Sequence, residues 1–126
     1  EMRSKLEAIT HPAIARLSRR GLEVIAERGE PIAVYEAALL VETGVHEGLD
    51  ALVVVFCTVA TQMARLMGRD GFSREAAAAP IASQYTLEDK LSAADYIIEN
   101  DGKLKDTRAS TLKVLDELKK RFLETK

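Results

Sequence analysis

One cysteine, two histidines, three prolines and no tryptophan stand among the 126 residues. Each scarcity excludes something. With Cys57 alone, neither an intrachain disulfide nor a cysteine-cluster zinc site can form. Within the apolar run ALVVVFC, that cysteine reads as a buried small hydrophobe rather than a nucleophile. His11 and His46 are too isolated to suggest a metal site, so no metal ligand is assigned. No stretch approaches the roughly 18 apolar residues of a membrane span, and the start EMRSKLEAIT is not a secretory signal. The cytoplasm is therefore the expected compartment, with no membrane partner. The first residue is Glu1 rather than methionine, which leaves the chain open to being part of something longer.

A charge excess is missing as well. Eighteen Lys and Arg against twenty Asp and Glu give a net charge of −2, interspersed along the chain. That argues against a nucleic-acid partner, whose affinity comes largely from a basic face neutralising phosphates. A small anionic ligand needs only a few well-placed arginines. The phosphate cradle Gly-x-x-x-x-Gly-Lys-Ser/Thr is also absent. The sole Gly-Lys pair is Gly102-Lys103; Ile97 stands five residues before it and Leu104 follows it.

What is present reads as one α/β domain: 47% hydrophobic and 30% charged residues suit a globular chain. Leu6, Ile9, Ile14, Leu17 and Ile25 fall at helical spacing. Pro12 is best tolerated in a first turn, so a short helix is expected to give way to a longer one there, with Gly29 as the stop. PIAVY (31–35) is compatible with a short buried strand, ALVVVFC (51–57) is the strongest strand signal, and DYIIEN (95–100) reads as a third. Thr58 is a helix cap for a stripe of Val59, Met63, Leu66 and Met67, and Gly71 fits its stop. Ser73 caps an alanine-rich helix that Pro80 should end or kink. Thr86 and Asp89 have the spacing of a capping box. Asp101-Gly102 reads as a turn, and Leu112, Leu115, Leu118 and Phe122 mark a terminal amphipathic helix. Alternating strands and helices imply a mostly parallel sheet, with ligands beyond the carboxyl ends of its strands.

Gln62, Arg65 and Arg69 lie at spacings of three and four, beside the apolar stripe of their helix. Guanidinium forks match phosphate oxygens bidentately and hold their charge at any working pH. Spacing alone leaves open that both arginines are simply solvated. Glu42 likewise has a plain reading, as a solvated loop carboxylate or helix-capping partner. Asp70 and Asp95 read as structural: the first accepts backbone donors at a turn, and the second sits at a strand entrance.

Taken in order, several short motifs carry a family likeness: His11-Pro12; Leu39-Leu40-Val41-Glu42; Gln62-x-x-Arg65 followed by Arg69-Asp70; Ile81-x-x-Gln84; Lys90; and Ala94-Asp95-x-Ile97-Ile98-x-Asn100-x-Gly102. Over roughly Lys5 to Leu118 the chain resembles the dephospho-CoA kinase family. The resemblance implies a phosphotransferase of coenzyme A biosynthesis that moves the γ-phosphoryl of ATP to the ribose 3′-hydroxyl of dephospho-CoA, with magnesium. It implies part of a P-loop kinase fold, three-layer α/β/α, divided as follows. Residues 1–30 are substrate-side helices, 31–70 a strand and helix core, 71–90 a lid, and 91–126 the last strand and helix. Arg65 and Arg69 would contact phosphates where the lid begins. Asn100 and Gly102 would lie near the adenine, and His11, Pro12 and Glu42 on the substrate side. Ala38, Phe56 and Pro80 depart from the family pattern.

In the family the phosphate loop, the first strand and the aspartate that activates the hydroxyl precede the matched segment. No catalytic residue is therefore assigned here, and the 126 residues are expected not to turn over alone. A non-catalytic module binding coenzyme A or nucleotide, or a protein-interaction module, is the alternative. Lacking the family's central strand, PIAVY and ALVVVFC would each have an unpaired edge. Dimerisation, strand exchange, a missing amino-terminal partner, or direct pairing of the two strands is expected.

Overall fold

A computed structural model describes residues 1–82 and 86–124; Gln84 of the Ile-x-x-Gln motif lies outside the described residues. Contacts divide the chain into two compact units, Glu1–Ala37 and Ala38–Lys126.

The first unit is built on one helix, α1 (Met2–Glu27), with Pro12 inside it. The break expected at Pro12 does not occur. Proline removes the N–H that would bond the carbonyl four residues back, at Ala8, yet helical backbone continues on both sides. The Thr10 hydroxyl donates to the Leu6 carbonyl at 3.0 Å in the same turn. Gly29 takes a left-handed φ of 73°, two residues beyond the last helical residue. The expected apolar stripe is also corrected: Leu6, Ile9, Ile14 and Leu17 are exposed, and only Ile25 of that set is half-buried. PIAVY forms no strand. A strand needs a neighbour for its backbone groups, and this segment is instead tied to α1 by the Ser18 hydroxyl, which donates to the Tyr35 hydroxyl at 3.0 Å.

The second unit opens with a turn over residues 39–44. The Thr43 N–H donates to the Leu39 carbonyl at 3.0 Å, and Gly44 adopts φ 73° where a side chain would be strained. A short 3-10 turn follows at Val45–Gly48. Then come β1 (Val53–Phe56), α2 (Val59–Asp70), α3 (Arg74–Ala82), α4 (Leu87–Ala93), β2 (Tyr96–Glu99) and α5 (Leu104–Phe122).

β1 and β2 pair in parallel, Val53 with Tyr96 through Phe56 with Glu99, and among the described residues the sheet has these two strands. β1 thus takes β2 as its partner, and the alternative of direct pairing with PIAVY does not hold. The Leu52 carbonyl accepts from the Tyr96 N–H and the Phe56 carbonyl from the Asn100 N–H. With a period of two, Leu52, Val54 and Phe56 turn their backbone groups toward β2, and Val53 and Val55 turn theirs toward the outer edge. Val54 and Ile98 are buried on opposite faces of this register, while Val55 and Ile97 beside them are exposed. Each face is therefore half covered, α5 lying along β2 and α4 reaching β1.

Local signals set the helix ends. The Thr58 hydroxyl accepts from the Thr61 N–H at 3.3 Å, and Gly71 closes α2 with φ 66°. The Ser73 hydroxyl caps α3 by accepting from Ala76. α3 packs on α2 with Ala77 fully buried, and Pro80 lies inside α3 rather than ending it. The Thr86 hydroxyl accepts from the Asp89 N–H at 3.2 Å and donates to the Asp89 carboxylate at 2.7 Å. α5 presents a different face from the one expected: Val114 is buried, with Thr107, Ser110 and Leu118 half-buried on its side. Leu112, Leu115 and Phe122 are exposed.

Candidate functional site at the strand tips

Both strands of the parallel sheet end at one place, where β1 runs into α2 and β2 turns into α5. The Gln62 amide donates to the Cys57 carbonyl at 3.1 Å, holding the exit of β1. Two turns into α2, Arg65 Nη2 donates to the Asn100 carbonyl at 2.6 Å, reaching from the helix to the tip of β2. The Asn100 carboxamide oxygen accepts from the Thr107 hydroxyl at 2.9 Å. The tip of β2 is thus fastened from α2 through its backbone and from α5 through its side chain.

Asp101 completes the joint. Its carboxylate accepts from the Thr58 N–H at 2.9 and 3.1 Å and from the Thr58 hydroxyl at 3.0 Å. The Thr61 hydroxyl first, and then the Thr58 N–H, hold the carboxyl below its usual range, with the nearby Arg65 charge assisting. An anion at the amino terminus of α2 is also favoured by the helix dipole.

Cys57, Gln62, Arg65, Leu66, Gly68 and Arg69 line a cavity of about 660 Å³ along α2. Cys57 is half-buried in this wall, not sealed in a core. The two arginines come to the cavity in different states. Arg65 spends one hydrogen bond on Asn100, out of the five N–H donors of a guanidinium. Arg69 spends its fork on its neighbour: Nε and Nη2 donate to the two Asp70 carboxylate oxygens at 2.8 and 2.7 Å. That bond raises the Arg69 pKa and lowers that of Asp70. Asp70 is therefore the counterion of Arg69 rather than a receiver of backbone donors. Asp95, at the entrance of β2, accepts from the Leu52 N–H at 2.8 Å.

Gly102 lies in a second, smaller cavity of about 340 Å³, with Glu99, Asp106 and Ser110. Glu42, on the turn over residues 39–44, is neither solvated nor a cap. Its side chain is 12% exposed, and its carboxylate lies 3.5 Å from the Lys90 ammonium of α4. His11 and Pro12 belong to α1 in the first unit, both exposed. The structure thus brings Arg65, Arg69 and Asn100 to one place, and Glu42 to Lys90. Sequence reading missed the joint formed by Thr58, Thr61 and Asp101. Thr58 was visible as a cap and Asp101 as a turn, but their meeting depends on the parallel pairing of β1 with β2.

Among the described residues no helix is long and apolar enough to cross a membrane. Nor does any cluster of three or more His, Cys, Asp or Glu there suit a metal ion.

The family profile for dephospho-CoA kinases matches residues 1–106. Dephospho-CoA kinase from Syntrophotalea carbinolica is 42% identical over 118 residues, covering 94% of this chain and 56% of that protein. The one from Geobacter sulfurreducens is 43% identical over 100 residues, covering 79% and 51%. Among solved structures, TT1252 from Thermus thermophilus superposes with a TM-score of 0.76 at 32% identity, covering 91% of this chain and 59% of that one. The dephospho-CoA kinase of Campylobacter jejuni superposes with a TM-score of 0.63 at 33% identity, covering 94% and 58%. The α/β architecture, with its small parallel sheet and many helices, is that of a partial P-loop kinase fold. The chain spans about half the length of the curated relatives it matches.

Proposed function

The chain belongs to the dephospho-CoA kinase family, and on that premise we propose that it carries the phosphate-gripping and adenine-side portion of an enzyme that phosphorylates dephospho-CoA from ATP. The observation that supports this most is the cavity at the strand tips, where Arg65 and Arg69 stand one helical turn apart. Phosphoryl transfer is chiefly positioning and charge stabilisation. Two guanidinium groups would pair with phosphate oxygens, Arg65 from a fixed position and Arg69 after exchanging Asp70 for the ligand.

Asn100 and Gly102 border the same tip and are assigned to the nucleotide. His11, Pro12 and Glu42 are assigned to the dephospho-CoA side. Residues 71–90 are assigned as the lid, α3 resting on α2 through Ala77. Magnesium would enter with ATP, bound largely by phosphate oxygens and water; the described residues offer no protein cage for it. The phosphate cradle is absent from the sequence, so this chain by itself is proposed to bind without turnover, in the cytoplasm.

Calorimetry with ATP and with dephospho-CoA, paired with an assay of ADP release, tests this. Heat with ATP and no ADP is expected; no heat with either ligand leaves only a protein-interaction role.

A further inference from the structure

Arg65 and Asp101 are not in direct hydrogen bond, yet they act on the same two-residue turn. Arg65 Nη2 takes the Asn100 carbonyl at 2.6 Å, and the next carboxylate, that of Asp101, holds the amino-terminal turn of α2 through Thr58. Thr58 and Arg65 lie seven residues apart on one side of α2, so the helix is fixed to the β2–α5 turn at two points. The first point is built from three bonds to one carboxylate, two from the Thr58 N–H and one from its hydroxyl. The Thr58 hydroxyl also caps α2 by accepting from the Thr61 N–H. The second point is a single bond from a long, flexible side chain. Such a side chain stays ordered only if its acceptor is held still.

The Asn100 carbonyl is held by the bonds of Asn100 to Phe56 and Thr107. We propose that Asp101 is a positioning residue for Arg65: by gripping the first turn of α2 it fixes the helix that carries Arg65 against that carbonyl, which orients the guanidinium at the cavity. This deepens the reading of Arg65 as a phosphate contact and rests on it for its functional consequence. Asp101 has a second effect. A carboxylate already occupies the amino-terminal N–H of α2, so an anionic ligand is received by the arginines farther along the helix rather than by the helix end. The ligand chemistry this arrangement fits is a polyphosphate approaching the side of α2.

The test uses the whole chain with Asp101→Ala and Asp101→Asn, and inorganic tripolyphosphate as the probe. Side-chain nitrogen NMR follows Arg65, identified by the signal lost in Arg65→Lys. In the parent chain its Nη resonances should be resolved; in Asp101→Ala they should collapse to those of freely rotating arginines. Tripolyphosphate affinity should fall by about three- to tenfold, the factor for re-ordering one rotamer-rich side chain. Asp101→Asn keeps an oxygen for the Thr58 N–H and should fall between the two. It also carries the test if the alanine variant does not fold by circular dichroism. An Arg65 signal that stays resolved in both variants overturns the proposal. If the signal collapses while the parent chain shows no tripolyphosphate binding, the positioning stands and the phosphate reading of the cavity fails.

Discussion

The Glu42 carboxylate and the Lys90 ammonium lie 3.5 Å apart with only 12% and 18% of their side chains exposed. Among the described residues, neither carboxylate oxygen of Glu42 accepts a hydrogen bond. The carboxylate therefore depends on the ion pair for its burial, since a buried charge without compensation is costly. This pair fastens the turn at 39–44 to α4, whose first residues, Lys90 included, fall within the assigned lid.

Removing one partner should therefore cost more than removing both. Glu42→Ala or Lys90→Met is expected to lower unfolding stability by about 3 kcal/mol. The double variant Glu42→Leu, Lys90→Met should recover a large part of that. Urea unfolding of the four proteins gives the coupling, and strictly additive losses would show that the two groups are not a unit.

Asp70 occupies the fork of Arg69, so it competes with any anion that Arg69 binds. Asp70→Asn should tighten ATP binding by at most about fivefold, because exposed ion pairs are weak. Calorimetry in low salt measures it. Weaker binding in this variant would mean that Asp70 supports Arg69 rather than masks it.

Asp101 gives the joint a pH signature. Its pKa is lowered by the Thr61 hydroxyl and the Thr58 N–H. A depressed carboxyl contributes stability that is fully present above its unfolded value, about 3.9, and is lost as pH falls through the folded value. Acid unfolding below about pH 4 should be less steep in Asp101→Asn than in the parent chain. Identical acid limbs would remove Asp101 from the joint.

Gly102 separates structure from function. A Cβ there would meet the Asp106 carboxylate at 3.7 Å, an ordinary contact, and its φ is not left-handed. Gly102→Ala should then change stability by less than about 0.5 kcal/mol. A loss of ATP affinity at unchanged stability supports adenine approaching this backbone; unchanged affinity withdraws Gly102 from the site.

Where structure followed from neighbours a few residues away, it was legible in the sequence. Thr58, Gly71, Ser73 and Thr86 act as the helix punctuation their side chains or φ angles suggest. The apolar runs at Val53–Phe56 and Tyr96–Glu99 became strands. Features that depend on distant partners were not legible. PIAVY has strand composition, but composition supplies no hydrogen-bonding neighbour, and the segment stays out of the sheet. On α5 two helical stripes compete. The one with Val114 packs inward, while Leu112, Leu115 and Phe122 remain exposed, because the position of β2 rather than hydrophobicity chose the face. At the site, spacing placed Arg65 and Arg69 on one side of α2. It gave no hint that Asn100 would hold the first and Asp70 the second.

The affinity of ATP for the parent chain and for the Arg65→Ala, Arg69→Ala double variant, measured by calorimetry across a range of salt, bears most directly on the cavity. Binding in the parent chain that weakens with salt and falls at least tenfold in the double variant is the expected result, since each charge-assisted contact is worth about 1.5–3 kcal/mol. Equal affinity and equal salt dependence in the two proteins would contradict it.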